Sequence, residues 1–239
     1  LKKGSISSIA FFQQPTNKKI ESEMMKIIDI SIPITPDVPV WPGDPHVKMR
    51  SIGAIADGDE ANVTEIHMCV HTGTHIDAPK HYYDDGKSID QIPMNKIIGK
   101  ALVVEIDPTI TAITDTTLKN HSQWDAIVNA RKVLFKTRNS NLWAQNNQTF
   151  HQDFVGIDRS GAEILADIGL DLVGLDYLSI APFNDSLRPH QLLLSRGVVL
   201  LEGVNLMHVQ PGVYELFCLP LNIVGCEGSP ARAILIAQG

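Results

Sequence analysis

The sequence predicts a single-domain α/β protein. Three observations carry that expectation. Short β-branched apolar runs recur from residue 26 to the end of the chain. Only two stretches between them carry a helical pattern, so many short strands with a few interspersed helices is the architecture to expect. The 239 residues are 44% hydrophobic and 20% charged, enough to bury one large core and too apolar for a disordered chain.

Residues 1–23 are polar, mixed in charge and without a sustained apolar period, and read as a tail or loosely packed arm. Their IAFF patch is shorter than the roughly 7–15 apolar residues of a signal-peptide core. The domain is expected over 24–239, with Met24 or Met25 as its candidate start. Lys26–Ile32 alternates and is rich in isoleucine, which suits a strand. Thr35–Pro45 holds four prolines and a glycine and is a loop ending in WPGDP. Val63–Val70 is a strand with alternating faces, and Ala101–Ile106 and Val133–Lys136 are short buried strands. Ser160–Ile168 is a helix, with Ser160 as N-cap and Glu163 three residues on. Strands follow at Asp171–Leu175, Gly197–Leu201, Tyr214–Leu219 and Ala233–Ala237, with a short helix within Leu187–Arg196.

The formal net charge of −7 argues against a nucleic-acid partner. No apolar run reaches the roughly 18 residues of a membrane span. Cys69, Cys218 and Cys226 are odd in number and widely spaced, with no CxxC. That excludes a disulfide scaffold and a zinc knuckle, and it suits the reducing cytoplasm.

The informative segment is His71-Thr-Gly-Thr-His75-Ile-Asp77-Ala-Pro-Lys-His81. Gly73, two threonines and Pro79 disfavour a helix that would bring His71 and His75 together. In an extended strand their Cα atoms would stand about 13 Å apart, at about 3.3 Å per residue. A shared metal therefore needs a bend, and Gly73 is the residue that permits one. Asp77 then offers a hard oxygen, and two imidazoles with a carboxylate suit zinc or manganese. A solvent-facing polar loop accounts for the same residues equally simply. Glu202 weighs for the metal: it ends the apolar run Gly-Val-Val-Leu-Leu, so its carboxylate is partly buried and needs compensation. The nearest preceding cation in sequence is Arg196, while His190 lies twelve residues upstream and can return to the same end of the sheet.

HTGTHIDAPKH resembles the HxGTHxDxPxH signature of the cyclase family of metal-dependent hydrolases, which includes bacterial kynurenine formamidase and isatin hydrolase. The resemblance covers about 25–239 and extends to VGLDYLSIAPF, Leu187–Gly203, PGVYELFCLPL and GSPARAILI, with WPGDP ahead of the motif. It implies a swivelling β/β/α fold and a homodimer or larger assembly. His71, His75 and Asp77 would bind a first metal, with Asp77 able to bridge. His190 would bind a second, and Glu202 could touch both. His81 would be the general acid/base and Trp41 would line the substrate pocket. The presence of both His190 and Glu202 looks more like a two-zinc pattern than a single-manganese one. The implied reaction is hydrolysis of a C–N amide bond in a small molecule. N-formylkynurenine is the leading substrate, an isatin-like cyclic amide or other small acyl compound the alternative, and a metal-containing small-ligand binding protein the non-enzymatic rival.

Several residues carry plainer readings. His67 is a surface or outer residue of the site, and Cys69 a small buried hydrophobe. There is no GxSxG elbow. Asp107 and Asp176 follow apolar runs and either cap loops or orient an imidazole. Arg232 either meets a substrate carboxylate or forms a structural ion pair. His121, His151 and His208 read as surface residues. Tyr82, the DYLSI segment and Arg138–Phe150 depart from the expected pattern and bear on the substrate rather than on the hydrolytic chemistry.

Overall fold

The computed structural model describes residues 26–144 and 149–237. The expected tail, and part of the Arg138–Phe150 segment, lie outside the described residues. In chain order the elements are β1 (Ile27–Asp29), β2 (Lys48–Gly53), β3 (Val63–His67), β4 (His75–Asp77), α1 (Met94–Ile97), β5 (Ile98–Glu105), β6 (Ala112–Ile113), α2 (Asp115–Lys119), α3 (Trp124–Asn129), β7 (Lys132–Lys136), α4 (Ser140–Ala144), β8 (Gly156–Ile157), α5 (Arg159–Ile168), β9 (Leu172–Leu175), α6 (Leu187–Ser195), β10 (Val199–Glu202), β11 (Gly212–Pro220) and β12 (Gly228–Ala237).

β9 and β10 are buried on both faces, which is why they read as unbroken apolar runs. With β5 and β7 they form a parallel ladder, β5-β7-β9-β10. On one side β10 pairs antiparallel with β4; on the other, β5 pairs with β11 and β11 with β12. β12 is long enough to reach β4 with its first residues, Gly228–Pro230, so the sheet closes on itself. Its last residues pair with β1. Closure leaves two cores, separated by the period-2 alternation of each strand. Val103, Leu134, Leu201 and Leu216 fill the barrel interior. Val104, Phe135, Val173 and Leu200 face outward beneath the helical layer, against Leu165 of α5 and Leu193 of α6.

The α5 helix begins at Arg159, and its cap is Asp158 rather than Ser160. The Asp158 side chain accepts from the Gly161 N–H at 2.8 Å. The Ser160 hydroxyl instead donates to Asp158 and accepts from the Asp115 N–H, tying α5 to α2. β3 stops at His67, short of the expected Val70, and every one of its residues is exposed. It pairs only with β2, so the two strands form an arm outside the barrel. Asp107 caps its own loop through Thr109. Arg232 pairs with Asp29. No helix among the described residues is long and apolar enough to cross a membrane.

Asp176 is fully buried and also serves structure. Its carboxylate accepts from the backbone N–H and hydroxyl groups of both Thr137 and Ser140, at 2.7–3.0 Å. It thereby joins the end of β9 to the turn that starts α4. Asp176→Ala leaves these donors buried without an acceptor and should cost about 3 kcal/mol. Urea denaturation reads this directly; a midpoint equal to wild type would contradict the assignment.

Candidate metal centre

The site begins with the bend at Gly73. Its φ of +63° is a left-handed conformation that suits glycine. Gly203, also left-handed at +67°, packs against it so closely that a Cβ there would stand 2.2 Å from the Gly73 carbonyl oxygen. Thr74 locks the bend: its hydroxyl donates to the Gly203 carbonyl at 2.6 Å and accepts from the Ile32 N–H at 2.8 Å. The chain leaves this clamp as β4, held between β10 and β12.

Register then decides which side chains meet. His75 lies opposite Glu202, and Asp77 lies two residues on, on the same face. His75 Nε2 stands 3.1 Å from Glu202 Oε2 and 3.6 Å from Asp77 Oδ1. His190, on α6, places Nε2 3.1 Å from Glu202 Oε1 and 3.9 Å from Asp77 Oδ2. His71, before the bend, places Nδ1 2.8 Å from Asp77 Oδ1. His81 sits on the Pro79–His81 turn just after β4, its ring centroid 4.1 Å from that of His71 and 6.2 Å from that of His190. Tyr82 stacks on His190 at 5.0 Å. Six residues spread over 132 positions of sequence thus converge on one point outside the barrel wall.

The electrostatics of this cluster are severe. Asp77 and Glu202 are both buried, and burial alone would raise their pKa values. His71 and the neighbouring imidazoles outweigh burial at Asp77, and hydrogen bonds from His190 and His75 do so at Glu202, so both carboxyls are held below their ordinary range. The balancing charge falls on the histidines. Burial opposes protonation of His71, but Asp77 beside it prevails and lifts its pKa to about 9. His190 moves the same way under Glu202, against its own burial. His81 goes down, because burial dominates there. Burial, reinforced by Glu202 and Asp77, pushes the Tyr82 phenol up to about 12.

These residues fit a divalent metal ion. Neither oxygen of Asp77 has a hydrogen bond, even though His71 Nδ1 is close to one of them. A buried carboxylate left in that state is costly unless a cation faces it. His75 directs Nδ1 to the Gly73 carbonyl at 3.0 Å, and His190 directs Nδ1 to the Ser186 carbonyl at 2.5 Å. With Nδ1 committed to a carbonyl, deprotonation at Nε2, which otherwise faces Glu202, would leave a lone pair pointing into the cluster, the tautomer a metal requires. Two overlapping groups, His71/Asp77/His81 and His75/Asp77/Glu202, bring ligand-capable atoms within 4.8 Å of one another, with Asp77 common to both. Arg196 compensates none of this; it lies 3.4 Å from Asp167.

The family model described as "Putative cyclase" matches residues 28–182. The chain belongs to the cyclase family. It is similar to Cyclase-like protein 1 of Arabidopsis thaliana, at 37% identity over 97% of this chain and 93% of the relative. It is 36% identical to the Kynurenine formamidase of Salinibacter ruber, over 88% of this chain and 97% of that protein. Among solved structures, "The Structure Of Potential Metal-Dependent Hydrolase With Cyclase Activity" superposes with a TM-score of 0.76 at 31% identity, covering 90% of this chain and 99% of the other.

In this cyclase-family chain the cluster forms the floor of a cavity of about 200 Å³. Trp41 forms part of its wall, held edge-on by Phe150 and packed against Phe183 at 5.2 and 5.3 Å between centroids. Asp44, Cys69, Leu178, Ser179 and Ser186 complete the lining beside Tyr82. Tyr177 and Trp143 stand behind it: the Tyr177 hydroxyl accepts from the His151 N–H and Trp143 donates to the Asp176 carbonyl. Sequence reasoning missed Gly228, whose bare Cα supports the His71 ring. A Cβ there would stand 2.6 Å from His71 Cε1. The GSPARAILI segment had entered through the resemblance as a whole, and nothing in it pointed to Gly228 as the residue beneath His71. Gly228→Ala should fold, at a cost of about 1–3 kcal/mol for overpacking, but tilt His71 out of the cluster. Histidine NMR signals check this, and unchanged His71 ring resonances would contradict it.

Proposed function

We propose that the protein is a metal-dependent hydrolase of a C–N amide bond in a small molecule, and that N-formylkynurenine is its substrate, released as kynurenine and formate. The observation that carries the reading is the buried Asp77 carboxylate, without a hydrogen bond and ringed by imidazoles that themselves line a cavity sized for a small molecule. The Kynurenine formamidase relative supports the choice of substrate, because the similarity runs through nearly its whole length.

In this reading His71, His75 and Asp77 would hold one ion and His190 a second, with Asp77 able to bridge and Glu202 able to touch both; zinc is the metal, and manganese the alternative the same donors accept. When bound, a divalent metal supplies Lewis-acid polarisation of the substrate carbonyl and a water acidic enough to ionise at a pH of about 7. The remaining work belongs to the chain. Trp41 offers a flat apolar wall to an aromatic ring. His81, kept neutral by its burial, takes a proton from the attacking water and delivers it to the departing nitrogen as the C–N bond breaks. Tyr82, a neutral phenol, stacks on His190 and keeps that imidazole in place.

His81→Ala should lower turnover about 10²–10⁴-fold while metal content stays near wild type. Formate release with metal analysis on the same samples tests this, and loss of metal in the variant would make His81 a ligand instead. Chelation should abolish formate release and zinc should restore it. Metal and ligand binding without hydrolysis would identify a binding protein and overturn the enzymatic reading.

The same reading includes a homo-oligomer. A two-stranded ribbon is marginal in water on its own, and the β2–β3 arm exposes Met49, Ile52 and Ile66. Its strands join the WPGDP loop at one end and the Cys69–His71 segment at the other, so a second copy on the arm would steady the cavity rim. Ile66→Asp should shift sedimentation from dimer to monomer; a monomeric wild-type protein would contradict this. Cys69, Cys218 and Cys226 are free thiols, which suits a reducing cytoplasm.

A further inference from the structure

Each imidazole of the centre has two nitrogens, and the structure shows where the outer one goes. For His75 it meets the Gly73 carbonyl and for His190 the Ser186 carbonyl. Both outer partners are backbone groups. His71 is built differently. Its inner nitrogen is Nδ1, at Asp77, so Nε2 faces away from the cluster. That Nε2 is buried and has no hydrogen bond. The nearest ionic partner is Glu227, whose Oε1 stands 3.7 Å away and whose side chain is 41% exposed.

Glu227 is itself firmly placed. Its carbonyl accepts from the Ala78 N–H at 2.8 Å, which anchors it to the residue after Asp77. The preceding Cys226 carbonyl accepts from the Ile89 N–H, also at 2.8 Å. The next residue, Gly228, is the one on which the His71 ring lies. The entry to β12 therefore holds the His71 imidazole from two sides, by backbone beneath the ring and by carboxylate at its outer edge. A rotation of the Glu227 side chain by a fraction of an ångström to one ångström closes the gap to hydrogen-bond length.

We infer that Glu227 is the positioning residue for His71: its carboxylate accepts the Nε2–H, fixes the tautomer that presents the Nδ1 lone pair, and so raises the affinity of the centre for metal. This rests on the metal-centre reading above. It makes His71 the one imidazole of the three whose outer partner is a side chain, and a charged one. A carboxylate on the far nitrogen increases the electron density a ligating imidazole can donate, and loss of such a partner typically costs about 10–100-fold in metal affinity.

The test is a chelator competition for zinc on the full chain, with wild type, Glu227→Ala, Glu227→Gln and His71→Ala, alongside ¹⁵N spectra of the histidine rings. Glu227→Ala should bind zinc about 10–100-fold more weakly. Glu227→Gln, which keeps a neutral acceptor, should recover part of that loss. The His71 Nε2 signal should report a protonated nitrogen in wild type and shift in Glu227→Ala, which a merely structural role at this exposed position would not produce. Zinc affinity in Glu227→Ala equal to wild type, with His71→Ala strongly impaired, would overturn this inference alone. A wild-type protein that binds no zinc would overturn the metal-centre reading and the inference with it.

Discussion

Asp77 holds a negative charge in a buried place where no backbone N–H reaches it. Transferring an unpaired carboxylate to such a place would unfold many proteins, since the cost exceeds a typical net stability of about 5–15 kcal/mol. The groups around it are three imidazoles within reach and a second buried carboxylate, Glu202. Histidines alone can balance this only by protonating against their own burial, which His71 and His190 are pushed to do. A dication in their midst relieves both carboxylates at once and returns the histidines to neutral ligands.

The fold can be understood as the means of holding that arrangement. β4 is only three residues long, yet it bridges β10 and β12 and closes the barrel. Its neighbours in register are therefore fixed by backbone hydrogen bonds rather than by the polar side chains themselves. Ile76, between the two site residues, points the other way into the barrel core. A slip of one residue would bury His75 and Asp77 in the apolar interior and expose Ile76, so packing protects the chemistry. The close contact of Gly73 with Gly203, and of His71 with Gly228, shows that backbones rather than side chains set the spacing at this corner.

Much of this was legible in the sequence. The unbroken apolar runs of β9 and β10 and the two helices α5 and α6 stood out because burial on both faces and helical periodicity leave a strong pattern. The bend at Gly73 followed from the distance an extended chain would impose between His71 and His75. β4 did not show, because a three-residue strand of His, Ile and Asp has no propensity pattern and exists through its two partners. The arm of β2 and β3 was half visible: β3 alternates, but nothing local says that both its faces meet solvent. The cap of α5 was misplaced by two residues because Asp158 and Ser160 are both capping residues, and only the Gly161 N–H distinguishes them. Glu227 left no trace at all, since its significance depends on a contact 156 positions away in the chain.

The most direct test of the central claim is an anomalous difference map, recorded at the zinc edge, from crystals of the protein purified with zinc. Density is expected within about 2.0–2.2 Å of His75 Nε2, an Asp77 oxygen and a Glu202 oxygen. A second peak on the far side of Asp77 is expected if two ions bind. A map with no peak at Asp77, or with zinc only on surface residues, would contradict the account and leave the buried carboxylate to be balanced by protonated histidines.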